Sequence, residues 1–131
     1  MIWLPSLDQI FELHALLIER TGGASGIRDA GLVESALMRA RAGFGEVEAY
    51  DTLPLKAAAV CCGLISNHGF VDGNKRVGIA ALCLILRKNE TRLAYTQQEL
   101  ITLGLTIAQG EMSEAAVAEW IIGHADGLQY L

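Results

Sequence analysis

No stretch of the sequence alternates apolar and polar residues with period two over a useful length, so nothing reads as a half-buried strand. Internal repeats, linkers and low-complexity tracts are absent. The longest apolar run, Val77 to Leu86, is too short to cross a bilayer. The opening MIWLPSLDQIF lacks a charged leader region and a cleavage site, so no signal peptide is read. Cysteine is scarce. Cys61, Cys62 and Cys83 are odd in number, lie in apolar stretches and show neither CxxC nor Cys/His spacing. On a helix, Cys61 and Cys62 point about 100° apart. Buried free thiols in a reducing cytoplasm are expected, rather than a disulfide or a metal site. Positive charge is also short: ten Lys and Arg against 15 Asp and Glu give a net −5. The field of the whole molecule therefore favours neither nucleic acid nor an anionic membrane, and any phosphate site has to be a local basic pocket.

What is present is a hydrophobic, moderately charged chain: 52% against 19% of residues. Its 131 residues suffice for one domain with a real core, residues 1–131. Ser6 and Gln9 stand at capping-box spacing before Ile10, Leu13, Leu17 and Ile18, which recur at helical intervals. That helix is expected to end near Thr21-Gly22-Gly23. The Gly- and Ser-rich TGGASGIRD follows as a loop. Asp29 caps a second helix, AGLVESALMRARA, closed by Gly43 to Gly45. Thr52 and Pro54 open a third, LKAAAVCCGLISN, apolar nearly all round and so buried on most sides. A fourth apolar helix ends at RKN, TRLAY reads as a short extended piece, and Thr96 with Glu99 forms another capping box. Ser113 caps the last helix. The expectation is all-α: a compact bundle of about six helices, the third and fourth central, with the Gly- and Ser-rich loop between the first two.

The joint between the third and fourth helices contains a contradiction. Lys75 and Arg76 sit at the start of the fourth helix, where unpaired backbone N–H groups already carry partial positive charge. A broken local rule of this kind marks a candidate functional site. Its surroundings, HGFVDGNKR, are rich in chemistry. His68 is able to take a proton from a hydroxyl near neutral pH. Asp72 is a hard oxygen ligand suited to Mg²⁺. Gly73 permits close backbone approach, and Asn74 suits a cap or a phosphate. The first N–H groups of the helix form an anion hole to which Lys75 and Arg76 add charge. Phe70, amid these polar residues, reads as an anchor into the core. The missing anion is then a ligand, a polyphosphate held with Mg²⁺. The bland alternative is a surface histidine, an ordinary Asp-Gly-Asn turn and solvated cations.

The string His68-Gly69-Phe70-Val71-Asp72-Gly73-Asn74-Lys75-Arg76 resembles the signature of the Fic/Doc superfamily, and more narrowly its death-on-curing (Doc) branch. The Fic form is H-P-F-x-[DE]-G-N-G-R-x-x-R and the Doc form H-x-F-x-D-[AG]-N-K-R. Lys75 replaces the second Gly of the Fic form and Ile79 its last Arg, and both departures point to Doc. GIRDAGLVESAL, Gly26 to Leu37, is similar to the upstream part of Doc proteins. The resemblance implies that His68 is the base, Asp72 the Mg²⁺ ligand, and Gly73, Asn74, Lys75 and Arg76 the phosphate site, with ATP and Mg²⁺ as cofactors. It further implies a toxin of a type II toxin–antitoxin module. Such a toxin moves phosphate from ATP to a protein hydroxyl, that of elongation factor Tu, and arrests translation.

Physical reading of the substitutions agrees. A Lys side chain at position 75 fills the room a glycine would leave, and Ile79 removes a second arginine clamp. Transfer of AMP, the Fic chemistry, is the alternative reaction, and a non-catalytic antitoxin-binding module the alternative class. A metal-dependent nuclease is disfavoured, since the β-hairpin and second His it needs are not seen. In the family, the loop at TGGASGIRD is a flap that holds the target as an added strand. Gly23, Ser25, Gly26 and Ile27 are its candidates here, a plain helix–helix connection being the other reading. No Glu is followed by Gly or Asn, so the internal inhibitory helix of some Fic proteins is not expected. The resemblance supplies an antitoxin instead, its C-terminal helix in an apolar groove that the sequence does not locate, the Ala- and Leu-rich faces of the first two helices being candidates. Neither nucleic acid nor membrane is an expected partner, and the location expected is cytoplasmic. His14 and His124 are read as structural or exposed, Trp3 and Trp120 as packing residues. Glu46 and Glu48 read as a solvated acidic patch, and Arg39 and Arg41 as dipole-matched charges ending the second helix.

Overall fold

The computed structural model describes residues 1–44, 47–48 and 50–126. Six helices follow in order: α1 (Leu7–Thr21), α2 (Ala30–Arg39), α3 (Leu53–Asn67), α4 (Asn74–Lys88), α5 (Gln97–Ala108) and α6 (Glu114–His124). Two two-residue antiparallel ladders accompany them. β1 (Gly43–Phe44) pairs with β2 (Val47–Glu48), and β3 (Arg92–Leu93) with β4 (Ala125–Asp126). The fold is all-α, as expected, and β3 is the extended piece anticipated at TRLAY.

The capping logic holds at five helices. Ser6, Asp29, Thr52, Thr96 and Ser113 each accept the N–H of the third helical residue, and the two capping boxes at Ser6/Gln9 and Thr96/Glu99 are formed. Such a cap stabilises a helix by about 1 kcal/mol. The exception is α4, whose cap residue is Gly73, with no side-chain acceptor.

The core forms around α3, which packs on α2, α4, α5 and α6. Its run of buried residues from Ala57 to Cys61 explains why the sequence is apolar all round there. The α3–α4 approach is close: a Cβ on Gly78 would lie 2.5 Å from Ile65 Cγ1 and 3.0 Å from the Cys61 carbonyl oxygen. The two helices are thus held at a fixed distance on both sides of the loop that joins them. At the far end of α4, Asn89 accepts the Trp3 N–H and donates to the Trp3 carbonyl, tying the N-terminal segment to that helix.

Two expectations change. First, α2 stops at Arg39 rather than running to Ala42. Ala40 is its cap, Arg41 and Ala42 turn back onto Met38 and Arg39, and buried Lys56 of α3 donates to the Ala40 carbonyl. Second, Arg39 makes a tertiary contact beyond its place near the end of α2, pairing with Glu114 at 2.6 Å alongside Tyr50. On α2 the apolar face carrying Val33, Ala36 and Leu37 is buried in the core. Gly45, Glu46 and the side chain of Glu48 lie outside the described residues, so the acidic-patch reading does too.

Candidate active site

The α3–α4 joint is a short loop held from three directions. Phe70 is buried, edge-on to Phe11 and stacked flat on His14, whose ring centroid lies 3.8 Å away. His14 is buried too, and its Nε2–H donates to the Asp72 carbonyl at 2.7 Å. Asn74 accepts the Phe70 N–H and donates to the Phe70 carbonyl, both at 3.1 Å. The Asn74 side chain therefore closes the loop on itself and leaves its backbone N–H to the helix end. Gly73 stands at φ 79°, a left-handed conformation that glycine adopts without steric cost.

His68 ends α3 at φ 52°, ψ 47°. Left-handed backbone at a residue with a Cβ costs roughly 1 kcal/mol or more and clusters at functional sites. Its side chain is exposed and has no hydrogen-bond partner among the described residues. A free imidazole thus lies at the same joint as the one helix N-terminus without a side-chain cap among the described residues. There the Gly73 N–H is taken by Asp72 Oδ1, while the N–H groups of Asn74, Lys75 and Arg76 have no partner among the described residues. These three donors, with the exposed and unpaired Lys75, form the anion-binding end of α4.

Arg76 resolves half of the charge contradiction. Its guanidinium turns back to the C-terminal end of α1, donating to the Gly22 carbonyl at 2.6 Å and to the Thr21 hydroxyl. That is the negative end of a helix, where a cation is favoured. It also stands 3.7 Å from Asp72 Oδ1. Lys75 has no such compensation.

The flap packs on this joint. The Asp72 carboxylate accepts the Ala24 N–H at 3.1 Å, and this bond, followed by that from Gly73, holds its pKa below the ordinary carboxylate value. Gly26 accepts the Val71 N–H, Arg28 and Asp29 donate to the Gly69 carbonyl, and Ile27 forms an antiparallel bridge with Phe70. Gly23 has φ 108°, and a Cβ there would lie 2.6 Å from Asp72 Oδ2 and 2.8 Å from Arg76 Nη2. Ser25 is exposed, with no side-chain hydrogen bond among the described residues. The connection is therefore joined to the motif loop along its length.

Among the described residues no cluster of three or more His, Cys, Asp or Glu side chains could hold a metal by itself. Asp72 stands alone, ionised and with about half of its side chain exposed. That donor set fits Mg²⁺, which keeps several waters and takes one or two carboxylates plus phosphate oxygens.

Residues 3–86, from the N-terminal segment through the α3–α4 joint and nearly all of α4, match the Fic/DOC family. The chain belongs to the Fic/DOC family. It is 44% identical over 73 residues to Toxin Doc of Mycolicibacterium smegmatis, a match covering 56% of each chain. The chain thus spans little more than half the length of that relative. It is 31% identical over 114 residues to Protein kinase doc of Escherichia phage P1, covering 87% of this chain and 89% of that one. The Fic/DOC signature of this chain occupies the α3–α4 joint, and its upstream GIRDAGLVESAL stretch supplies the flap residues and α2.

Sequence reasoning missed several members of the site. Arg28 donates from the flap to the His68 carbonyl, Ala24 reaches Asp72 through its backbone, and Thr21 receives Arg76. His14, read only as structural, bonds the metal-ligand candidate's own backbone. Neither a backbone donor nor a contact across 40 or more residues leaves a mark in local spacing.

An apolar trough of about 450 Å³ opens between α1, α4 and α5, starting at Lys75 and Arg76. Leu17, Ile79, Ala80, Leu100, Ile101 and Leu105 line it. No helix among the described residues is long and apolar enough to cross a membrane.

Proposed function

We propose that this protein is the toxin of a type II toxin–antitoxin module, a kinase that moves the γ-phosphate of ATP to a hydroxyl of a target protein, elongation factor Tu. The observation that carries the reading is the juxtaposition at one joint of a free imidazole, His68, and a helix end with three free N–H donors and an unpaired lysine. That is the pair of elements phosphoryl transfer asks of a protein, which supplies positioning and charge rather than covalent chemistry. The names Toxin Doc and Protein kinase doc borne by the two relatives support it.

The N–H groups of Asn74, Lys75 and Arg76 would cradle phosphate oxygens, and Lys75 would add its full charge. Asp72 would hold Mg²⁺, which when bound neutralises charge on the phosphates. Its lowered pKa keeps the carboxylate anionic at neutral pH. Each of its oxygens has a lone pair to spare beyond the bond from Ala24 or Gly73. His68 Nδ1 or Nε2 would take the proton of the target hydroxyl as it attacks. Lys75 in place of a glycine, and Ile79 lining the apolar trough where the AMP transferases have arginine, favour presentation of the terminal phosphate over AMP transfer.

The flap would hold the target. Ile27 faces Phe70 in the wide type of antiparallel pair, so its own N–H and C=O point to the outer edge, where a target strand would add. The antitoxin would lay a C-terminal helix in the α1/α4/α5 trough, its apolar face on Ile79 and Ile101 and its end beside Lys75, closing the phosphate site.

Incubation with elongation factor Tu and ATP labelled at either the γ or the α position tests the reaction. Label is expected from γ alone and is lost in His68→Ala. Label from the α position would mean nucleotidyl transfer, and no label with tight antitoxin binding would mean a non-catalytic module.

A further inference from the structure

The catalytic candidate His68 does not hold its own backbone conformation. It is one of two non-glycine residues with positive φ among the described residues, and its ring makes no hydrogen bond there. Helix α3, which it terminates, has no basic residue in its last turn to meet its orphan carbonyls. That cation comes from another element. Arg28 of the flap donates from Nε to the His68 carbonyl at 2.6 Å and from Nη2 to the Asn67 carbonyl at 3.3 Å. Its backbone N–H, with that of Asp29, holds the next carbonyl, Gly69, at 2.8 and 2.9 Å. Three successive carbonyls, at residues 67, 68 and 69, are therefore gripped from one stretch of flap.

We propose that Arg28 is a positioning residue for His68 and the link by which occupation of the flap sets the base in place. The inference rests on the reading of His68 as the base. Its geometry is that of a two-sided strand. On the inner side, Arg28 N–H and Gly26 C=O pair with Gly69 and Val71 on the motif loop. On the outer side lies the free edge at Ile27, one residue before Arg28. A peptide strand pairing at Ile27 fixes the backbone that carries the guanidinium. The guanidinium fixes the carbonyl of the residue whose imidazole faces the target. Lysine has a charge but no fork of donors, so it would meet one of the two carbonyls and hold His68 less firmly.

Arg28 is exposed, so its substitution leaves the core intact. The experiment compares Arg28→Ala and Arg28→Lys with the wild type in three measurements on the full chain. These are steady-state transfer from ATP to target, thermal stability, and the φ-sensitive amide–Hα coupling of His68 by NMR. Arg28→Ala is expected to lower kcat by about ten- to a hundredfold, the range that misplacement by an ångström produces. The KM for ATP stays unchanged, the His68 coupling moves away from its left-handed value, and Arg28→Lys recovers part of both. An unchanged kcat and coupling in Arg28→Ala would overturn the proposal. So would activity that falls only in step with thermal stability across the two variants, which is the mark of a merely structural contact. The coupling separates this claim from the one beneath it. A wild type that transfers nothing, with the His68 coupling still lost in Arg28→Ala and kept in Arg28→Lys, leaves the positioning contact standing while the kinase reading fails.

Discussion

His14 lies flat on Phe70, the ring planes 11° apart, and the same imidazole donates to the carbonyl of Asp72. One buried side chain thus supports both the anchor of the motif loop and the backbone of its acidic residue. Phe70→Ala is expected to destabilise the fold by about 3–5 kcal/mol, the range for a buried aromatic. His14→Phe keeps the stack but leaves the Asp72 carbonyl without this donor, at a cost of about 1–3 kcal/mol. Urea unfolding of the two variants checks both figures. Equal stability of His14→Phe and wild type would show that the hydrogen bond contributes nothing.

Gly22 and Gly23 separate backbone strain from collision. Both have positive φ, at 87° and 108°, yet a Cβ on Gly22 meets nothing within 4 Å while one on Gly23 meets Asp72 and Arg76. Ala at either position costs about 1–3 kcal/mol for the positive-φ backbone. Gly23→Ala is expected to go further, displacing the Asp72 carboxylate and lowering Mg²⁺-dependent ATP binding by calorimetry, which Gly22→Ala leaves intact.

The far end of the bundle carries a pH-sensitive contact. Both ring nitrogens of His124 face acceptors, the Trp120 carbonyl at 2.7 Å and Glu99 Oε2 at 2.8 Å. Burial opposes charging of this ring, but the two hydrogen bonds outweigh it and raise its pKa above the ordinary 6.5. Glu99 is shifted down by the same ring. A raised histidine contributes stability that is complete below pH 6.5 and fades as pH rises through its folded value. A lowered carboxylate contributes above its ordinary 4.5 and fades as pH falls. The pair is therefore worth most between about pH 4.5 and 6.5. Thermal unfolding should show the wild type losing stability from pH 6 to 8 relative to His124→Gln. Parallel curves for the two proteins would remove the ion pair from the account.

The trough between α1, α4 and α5 makes a prediction about the antitoxin. Ile101 is about half exposed on α5 and lines that trough, so Ile101→Asp is expected to fold normally. A charge buried beneath a docked helix is costly, and antitoxin affinity by calorimetry should fall at least tenfold. Met38→Asp, on the equally exposed side of α2, should leave it unchanged.

What was legible in the sequence followed from local rules. Caps at Ser6, Asp29, Thr52, Thr96 and Ser113 and helical periodicity fixed the helices. The all-round apolarity of α3 fixed the centre. The same reasoning singled out the joint through a violated rule, cations at a helix start. The reason for Arg76 was not legible, because the negative helix end it serves belongs to α1, more than 50 residues upstream. Arg28 was invisible for the same cause, its partners being backbone carbonyls 39 and 40 positions away. Periodicity tells which face of α2 is apolar, and neither that α3 covers it nor that a trough opens between α1, α4 and α5.

The central claim is that the uncapped start of α4 grips a polyphosphate beside His68. A crystal structure of the protein soaked with Mg²⁺ and a non-hydrolysable ATP analogue tests it most directly. The account predicts phosphate density on the N–H groups of Asn74, Lys75 and Arg76, with the metal on Asp72 and the terminal phosphate toward the His68 imidazole. An empty helix end under those conditions, or a nucleotide bound with its phosphates turned away from His68, would contradict it.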